Sequence, residues 1–207
     1  MRTALGAEIF GLKYSQPGAR TWDDLSFVLS ERVMGGLVPQ GNVSSTVRSI
    51  NRMRFIPAGR YLYYANRPKS FFNNCFAFKA RDSRESWSEL AGHAMSALMC
   101  GGGIGVTYGD LRGEGAEIKG TGGVSSGPMA LMAAINEIGR NVKQGGSRRS
   151  AMFAGLPWSH PDIQAFIQAK IRTQQQRDWK ANDYNYPLQF DMTNMSLGID
   201  NQFLHQH

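Results

Sequence analysis

Chemistry in this chain can reside in a cysteine within an apolar run, in glycine-rich turns beside helix-like segments, and in arginines of polar loops. Cys75 stands in Phe71-Phe-Asn-Asn-Cys-Phe-Ala-Phe78. A thiol on a strand can act as a nucleophile or redox group through its thiolate. It can equally be a small, inert core hydrophobe, and Cys100 has the same two readings. With two cysteines and no CxxC pair, a disulfide scaffold and a structural zinc site are both excluded. Met99-Cys-Gly-Gly-Gly-Ile-Gly105 matches neither a Walker loop nor the dinucleotide glycine spacing. Its three consecutive glycines would let a ligand pack on bare backbone with N–H groups free to donate, or would close a helix and turn tightly into a strand. Gly120-Thr-Gly-Gly-Val-Ser-Ser-Gly-Pro128 leads into a helix start. There the hydroxyls, amides and helix dipole suit a phosphate, and they suit ordinary capping as well. Gln144-Gly-Gly-Ser-Arg-Arg-Ser150 offers two guanidiniums, either to a phosphate or to solvent. His93, His160, His205 and His207 form no metal-ligand pattern, and no metal is expected; His160 reads as helix-start chemistry.

The 207 residues carry a net charge of +7, concentrated in residues 1–103, which hold 13 basic and 7 acidic side chains. The basic residues stand singly or in pairs, which argues against specific nucleic-acid binding and fits phosphorylated small molecules. Arg, Lys, Asn or Gly interrupts every apolar stretch, so no membrane span is expected. The opening Met-Arg-Thr-Ala-Leu-Gly-Ala-Glu lacks the apolar core of a secretory signal. A cytoplasmic location follows from these readings.

The elements that must position these residues form two sets. Residues 1–20, with Gly6, Gly11, Pro17 and Gly18, read as an irregular lead-in. Thr21 caps a helix with Asp24 three residues on, followed by Leu25, Val28, Leu29 and Val33. A second helix is predicted from Ser44 through Met53, and a turn at Pro57-Ala-Gly-Arg60. These make a helical layer over 1–68. From residue 69 the pattern alternates. A buried strand around Cys75 precedes a helix from Asp82-Ser83 ending at Gly101, and a strand follows over 103–108. Pro128 then opens a helix to about Val142, and apolar residues 151–156 form a strand. His160-Pro161 starts another helix, and Gln174-Gln-Gln176 reads as a solvated stretch. Leu188, Phe190, Met192, Met195, Leu197 and Ile199 alternate as in strands. Strand and helix in alternation predict an α/β fold with parallel neighbours.

Phe55-Ile-Pro-Ala-Gly-Arg60, Asn73-Asn-Cys-Phe76, Asp82-Ser83, Gly101-Gly-Gly-Ile-Gly105, Asp110-Leu-Arg112, Gly122-Gly-Val-Ser-Ser-Gly-Pro-Met129, Gly145-Gly-Ser-Arg-Arg-Ser-Ala151, His160-Pro-Asp-Ile163 and Asn194-Met-Ser-Leu197 occur in this order. Together, over residues 20–204, they resemble the N-terminal part of the ribonucleotide reductase catalytic chain, most of all the adenosylcobalamin-dependent class II enzymes. The resemblance implies a helical region over 1–68, followed over 69–207 by the first half of a ten-stranded α/β barrel, an incomplete barrel. It implies reduction of ribonucleotides to 2′-deoxyribonucleotides by thiyl-radical chemistry. Cys75 matches the reductant cysteine on the first barrel strand, which would pair as a disulfide with a cysteine of the other half. Asn74, Gly102, Gly103 and Arg148 match substrate-binding positions. Asp82, Ser83 and Arg112 match those that hold a deoxynucleotide effector. Residues 119–125 correspond to a first specificity loop and 143–150 to a second.

The family's Asn-Pro-Cys-Gly-Glu segment, with the radical cysteine and catalytic glutamate, is absent from these residues. The expectation is therefore an N-terminal piece, inactive alone. Its implied cofactor is adenosylcobalamin, bound mainly by the missing C-terminal half. That half, a dithiol reductant such as thioredoxin, and a second copy of the chain as a homodimer are the implied partners. Two alternatives stand beside this one: a class I large-subunit piece, and a non-catalytic deoxynucleotide-sensing module. Retention of Cys75 weighs against the sensor.

Overall fold

A computed structural model describes residues 3–33, 35–36, 42–120, 122–142 and 150–206. The chain divides into two compact units, Met1–Asn74 and Cys75–His207.

The first unit is helical. Helix α1 (Ala4–Lys13) forms where an irregular lead-in was expected, because the Thr3 hydroxyl accepts the Gly6 N–H and starts it. It buries only Phe10, so it has no apolar stripe to announce it. Helix α2 (Trp22–Val28) starts at the expected capping box. The Thr21 Oγ accepts from Asp24 N at 3.2 Å, and the Asp24 carboxylate accepts from Thr21 N at 2.9 Å. The helix widens into a π-turn over Leu29–Val33, then α3 (Val43–Asn51) and α4 (Gly59–Tyr64) follow. The predicted turn at 57–60 is thus the entry to a short helix. Trp22 is pinned in the core by its indole N–H, which donates to the carbonyls of Ile50 and Asn51.

The second unit alternates as predicted. Strands β1 (Cys75–Lys79), β2 (Gly103–Thr107), β3 (Met152–Pro157) and β4 (Thr193–Gly198) form one parallel sheet in sequence order. Helices α5 (Arg84–Met99) and α6 (Gly127–Asn141) make the first two crossovers, and α7 (Ile163–Gln168) with α8 (Gln174–Asn182) the third. Helix α9 (Asn201–Gln206) follows β4. One sheet face packs on helices: Ile104, Val106, Met152, Ala154 and Leu156 join Leu90, Leu98, Leu131, Met132 and Ile135 in the core. The opposite face carries Cys75, Ala77, Phe153, Asn194 and Ser196, all exposed.

Two local expectations are corrected. The glutamine-rich stretch is helical: the Thr173 hydroxyl and Gln176 side chain form a reciprocal cap, although α8 buries no residue and so shows no apolar period. The alternation from Leu188 to Met192 is a turn, since Phe190 has φ 56 and is fully buried; the strand begins only at Thr193. Its start is held from α6, where the buried Asn136 Oδ1 accepts from Met192 N at 3.1 Å and Thr193 Oγ1 at 3.0 Å. Among the described residues no helix is long and apolar enough to cross a membrane.

Candidate functional site

Side chains alternate across a strand, so every second residue from Cys75 belongs to the open face. The register places Cys75 beside Gly103, and Ala77 beside Gly105, Phe153 and Asn194. Cys75 is exposed, which corrects the reading of a core cysteine in a buried strand. Its strand lies at the sheet edge, and only Phe76 and Phe78 turn inward against the core. Neither cysteine is in a disulfide. A Cβ on Gly103 would lie 3.7 Å from Cys75 Sγ and 3.2 Å from the Ala151 carbonyl, so only a bare backbone keeps the space beside the thiol clear.

The glycine turn before β2 closes helix α5. Gly101, at φ 74, donates to the Leu98 carbonyl, and Gly102 N donates to Ala97 O. Those two amides are committed to the helix end, so the phosphate-loop alternative does not hold for them. Gly102 is buried, and a Cβ there would meet the Phe76 ring at 2.7 Å. Asn74 is exposed at the end of the first unit. Arg148 and most of the second loop lie outside the described residues.

A second group forms at the other ends of β1 and β2. Arg112 Nε donates to Asp82 Oδ2 at 2.6 Å, and its Nη1 donates to the Glu117 carbonyl at 2.8 Å. Both members of the ion pair are about one-third exposed, at 34%. Ser83 caps α5, its Oγ accepting from Ser86 N. The structure therefore joins Asp82 and Arg112, thirty positions apart, while Ser83, next to Asp82 in the chain, is engaged in capping α5. The segment after Arg112 is a hairpin: Gly115 N donates to Ser125 O, Ser125 N to Ala116 O and Ile118 N to Gly123 O. Ser125 Oγ is engaged by Gly127 N at the start of α6. A cleft of about 510 Å³ opens beside β1 and α5, lined by Phe78, Lys79, Arg81, Ser83, Glu89 and His93 among others. The His93 ring stacks on Phe78 with centroids 5.8 Å apart. Among the described residues no group of three or more His, Cys, Asp or Glu could hold a metal ion.

Sequence reasoning assigned no role to Phe153, Asn194 or Ser196 on the open face. Counting in twos from Cys75 and Gly103 across the aligned strands is the signal that would have found them.

The ribonucleotide reductase barrel domain matches residues 73–206. The chain belongs to the ribonucleotide reductase family. A vitamin B12-dependent ribonucleoside-diphosphate reductase of Mycobacterium tuberculosis is 29% identical over 155 residues, which is 75% of this chain and 20% of that relative. The ribonucleoside-diphosphate reductase large subunit of Arabidopsis thaliana is 30% identical over 154 residues, 71% of this chain and 18% of the relative. The large subunit of Plasmodium falciparum is 30% identical over 146 residues, covering 69% and 18%. This reductase-family chain thus spans about a fifth of the length of the curated relatives it matches.

Proposed function

We propose that this chain supplies the reductant-cysteine half of a site that reduces ribonucleotides to 2′-deoxyribonucleotides, together with a deoxynucleotide effector site. The observation that carries the reading is Cys75: an exposed thiol on the open face of a family barrel sheet, with glycine backbone beside it. The sugar of a ribonucleotide would lie over Gly102 and Gly103, with Asn74 and Arg148 as further contacts. Cys75 and a second cysteine outside these residues would supply two electrons and two protons. The 2′-hydroxyl leaves as water and the two thiols become one disulfide. The 207 residues contain no Asn-Pro-Cys-Gly-Glu segment, so the thiyl cysteine must come from residues outside them. Among the described residues, an open sheet face and outer edges of β1 and β4 with no strand beside them support the reading as half of a ten-stranded barrel, because parallel sheets are ordinarily covered on both faces. The helical region and half-barrel form separate domains in this reading.

The B12-dependent relatives favour class II and adenosylcobalamin. When bound, that cofactor supplies the radical. In this reading it would be held mainly by residues outside these 207. The large-subunit relatives keep class I as the second reading. A dithiol protein would reduce the disulfide, a second copy of the chain would make a homodimer, and the setting would be the cytoplasm.

The test is a reductase reconstituted from this chain and the radical-bearing residues, assayed with dithiol. Cys75→Ser should leave ribonucleotide binding intact and abolish multiple turnover, since serine keeps the volume but cannot form the disulfide. Unchanged dithiol-dependent turnover would remove Cys75 from the chemistry.

A further inference from the structure

His160 is buried at the turn after β3, far in sequence from Arg112, yet it grips the peptide group on which Arg112 is built. Its Nε2 lies 2.8 Å from the carbonyl oxygen of Leu111, the acyl half of the Leu111–Arg112 peptide bond. Its Nδ1 accepts the Asp162 N–H at 3.0 Å. Because Nδ1 is an acceptor there, the ring hydrogen sits on Nε2 and donates to Leu111. The His160 backbone is fixed on both sides as well: its N–H donates to Pro157 O, and its carbonyl accepts from Ile163 N.

Asp162 makes the second tie. It stands at the N-cap of α7 but makes no side-chain cap bond. Instead both carboxylate oxygens accept the N–H of Glu114, at 3.0 and 3.2 Å. Gly127 completes the junction. It has φ 67, and a Cβ there would come within 2.6 Å of Asp162 Oδ2 and 2.9 Å of Glu114 N. Three segments therefore meet with no room to slide: the chain around Arg112, the start of α6, and the His160–Asp162 turn. Arg112 itself reaches from this junction to Asp82 and to Glu117 at the base of the hairpin.

We propose that His160 and Asp162 are positioning residues of the effector site, clamping the backbone on both sides of Arg112 so that its guanidinium is presented to a deoxynucleotide. The proposal rests on the reading of Asp82, Ser83 and Arg112 as that site. Neither clamp residue touches the ligand; each acts through Arg112 and the hairpin it supports. A free peptide at Leu111–Arg112 would let the guanidinium swing away, and binding would then cost the ordering of that segment.

The test separates the two nitrogens of the imidazole. Glutamine can place an N–H donor where Nε2 is, and asparagine can place an acceptor only where Nδ1 is. The probes are the four 2′-deoxynucleoside 5′-triphosphates, titrated onto the full chain by calorimetry. A thermal melt and the Arg112 Nε–H resonance of each variant are recorded alongside. His160→Gln should keep the tightest wild-type affinity within about twofold, while His160→Asn should weaken it about tenfold, the size of one lost hydrogen bond between neutral groups. The Arg112 Nε–H signal should stay in the ion-paired position in His160→Gln and shift in His160→Asn. Asp162→Asn should likewise bind better than Asp162→Ala. Equal affinities for His160→Gln and His160→Asn, with wild type binding normally, would overturn the clamp and leave the effector reading standing. Losses that merely follow the melting temperatures would also overturn it. If wild type bound none of the four probes, the effector reading would fall, and the clamp with it.

Discussion

The Cys75 row and the Arg112 loop lie at opposite ends of β1 and β2 and are built in opposite ways. Around Cys75 the protein withholds side chains: Gly103 lies beside it and Gly105 beside Ala77, and Cys75 and Ala77 are exposed. Around Arg112 it ties everything down, with an ion pair to Asp82, a bond to Glu117 and the His160–Asp162 junction. Under the proposed function, the Cys75 end would admit a reacting sugar by clearance, and the Arg112 end would read a ligand through groups that are held fixed. A side chain added at a glycine should therefore cost folding at the tied end and little at the open one.

The largest expected effect comes from breaking the tied end. Gly127→Val would put a branched side chain at φ 67 and against Asp162 and Glu114. Strain and overpacking together should cost about 3 kcal/mol, read by urea unfolding. A loss below about 1 kcal/mol would mean that the junction yields easily.

Asn136 tests whether the tie at β4 is comparable. Asn136→Leu removes the acceptor for Met192 N and Thr193 Oγ1, and should cost about 2 kcal/mol in the same assay.

A charge cluster beside it makes stability fall in acid. Burial opposes ionisation of Asp191, but the Leu188 N–H, Arg140 and Lys180 outweigh it and hold the carboxyl below its ordinary range. With the folded value below the unfolded one, the stabilisation is complete above the unfolded value and is lost as pH falls through the folded one. Wild-type melting temperature should therefore drop more steeply than that of Asp191→Asn below about pH 4. Parallel curves would remove Asp191 from the acid response.

How much of this could be read in the sequence depends on which forces act locally. The Thr21–Asp24 cap, the Gly101 helix end and the order of strands and crossovers are local or periodic, and the structure keeps them. Helices α1 and α8 bury one residue and none, so nothing periodic marked them. Phe190 sits in a left-handed turn that a simple alternation cannot reveal. The grouping of Asp82, Ser83 and Arg112 came from the family resemblance, and the structure adds the ion pair. The exposure of Cys75 was hidden by its aromatic neighbours, because Phe76 and Phe78 face the core while Cys75 faces away. The link from His160 to Leu111 spans 49 positions, and no spacing rule connects them.

The smaller effects sharpen the contrast. Arg112→Ala should cost under about 1 kcal/mol of stability, because a partly exposed ion pair adds little to folding. The same change should weaken deoxynucleotide binding in a titration. Gly105→Ala on the open face should be nearly neutral or slightly stabilising, about 0.5 kcal/mol, since its Cβ would meet only Phe153 at 3.6 Å. A large folding cost there would contradict a face built for clearance.

The most direct test follows the Cys75 thiol itself through one turnover. A prereduced, reconstituted reductase containing this chain is given ribonucleotide without dithiol, and remaining thiols are alkylated and mapped by mass spectrometry. The expected result is one disulfide involving Cys75 for each deoxynucleotide formed. Deoxynucleotide formed while Cys75 remains fully alkylatable would contradict the assignment.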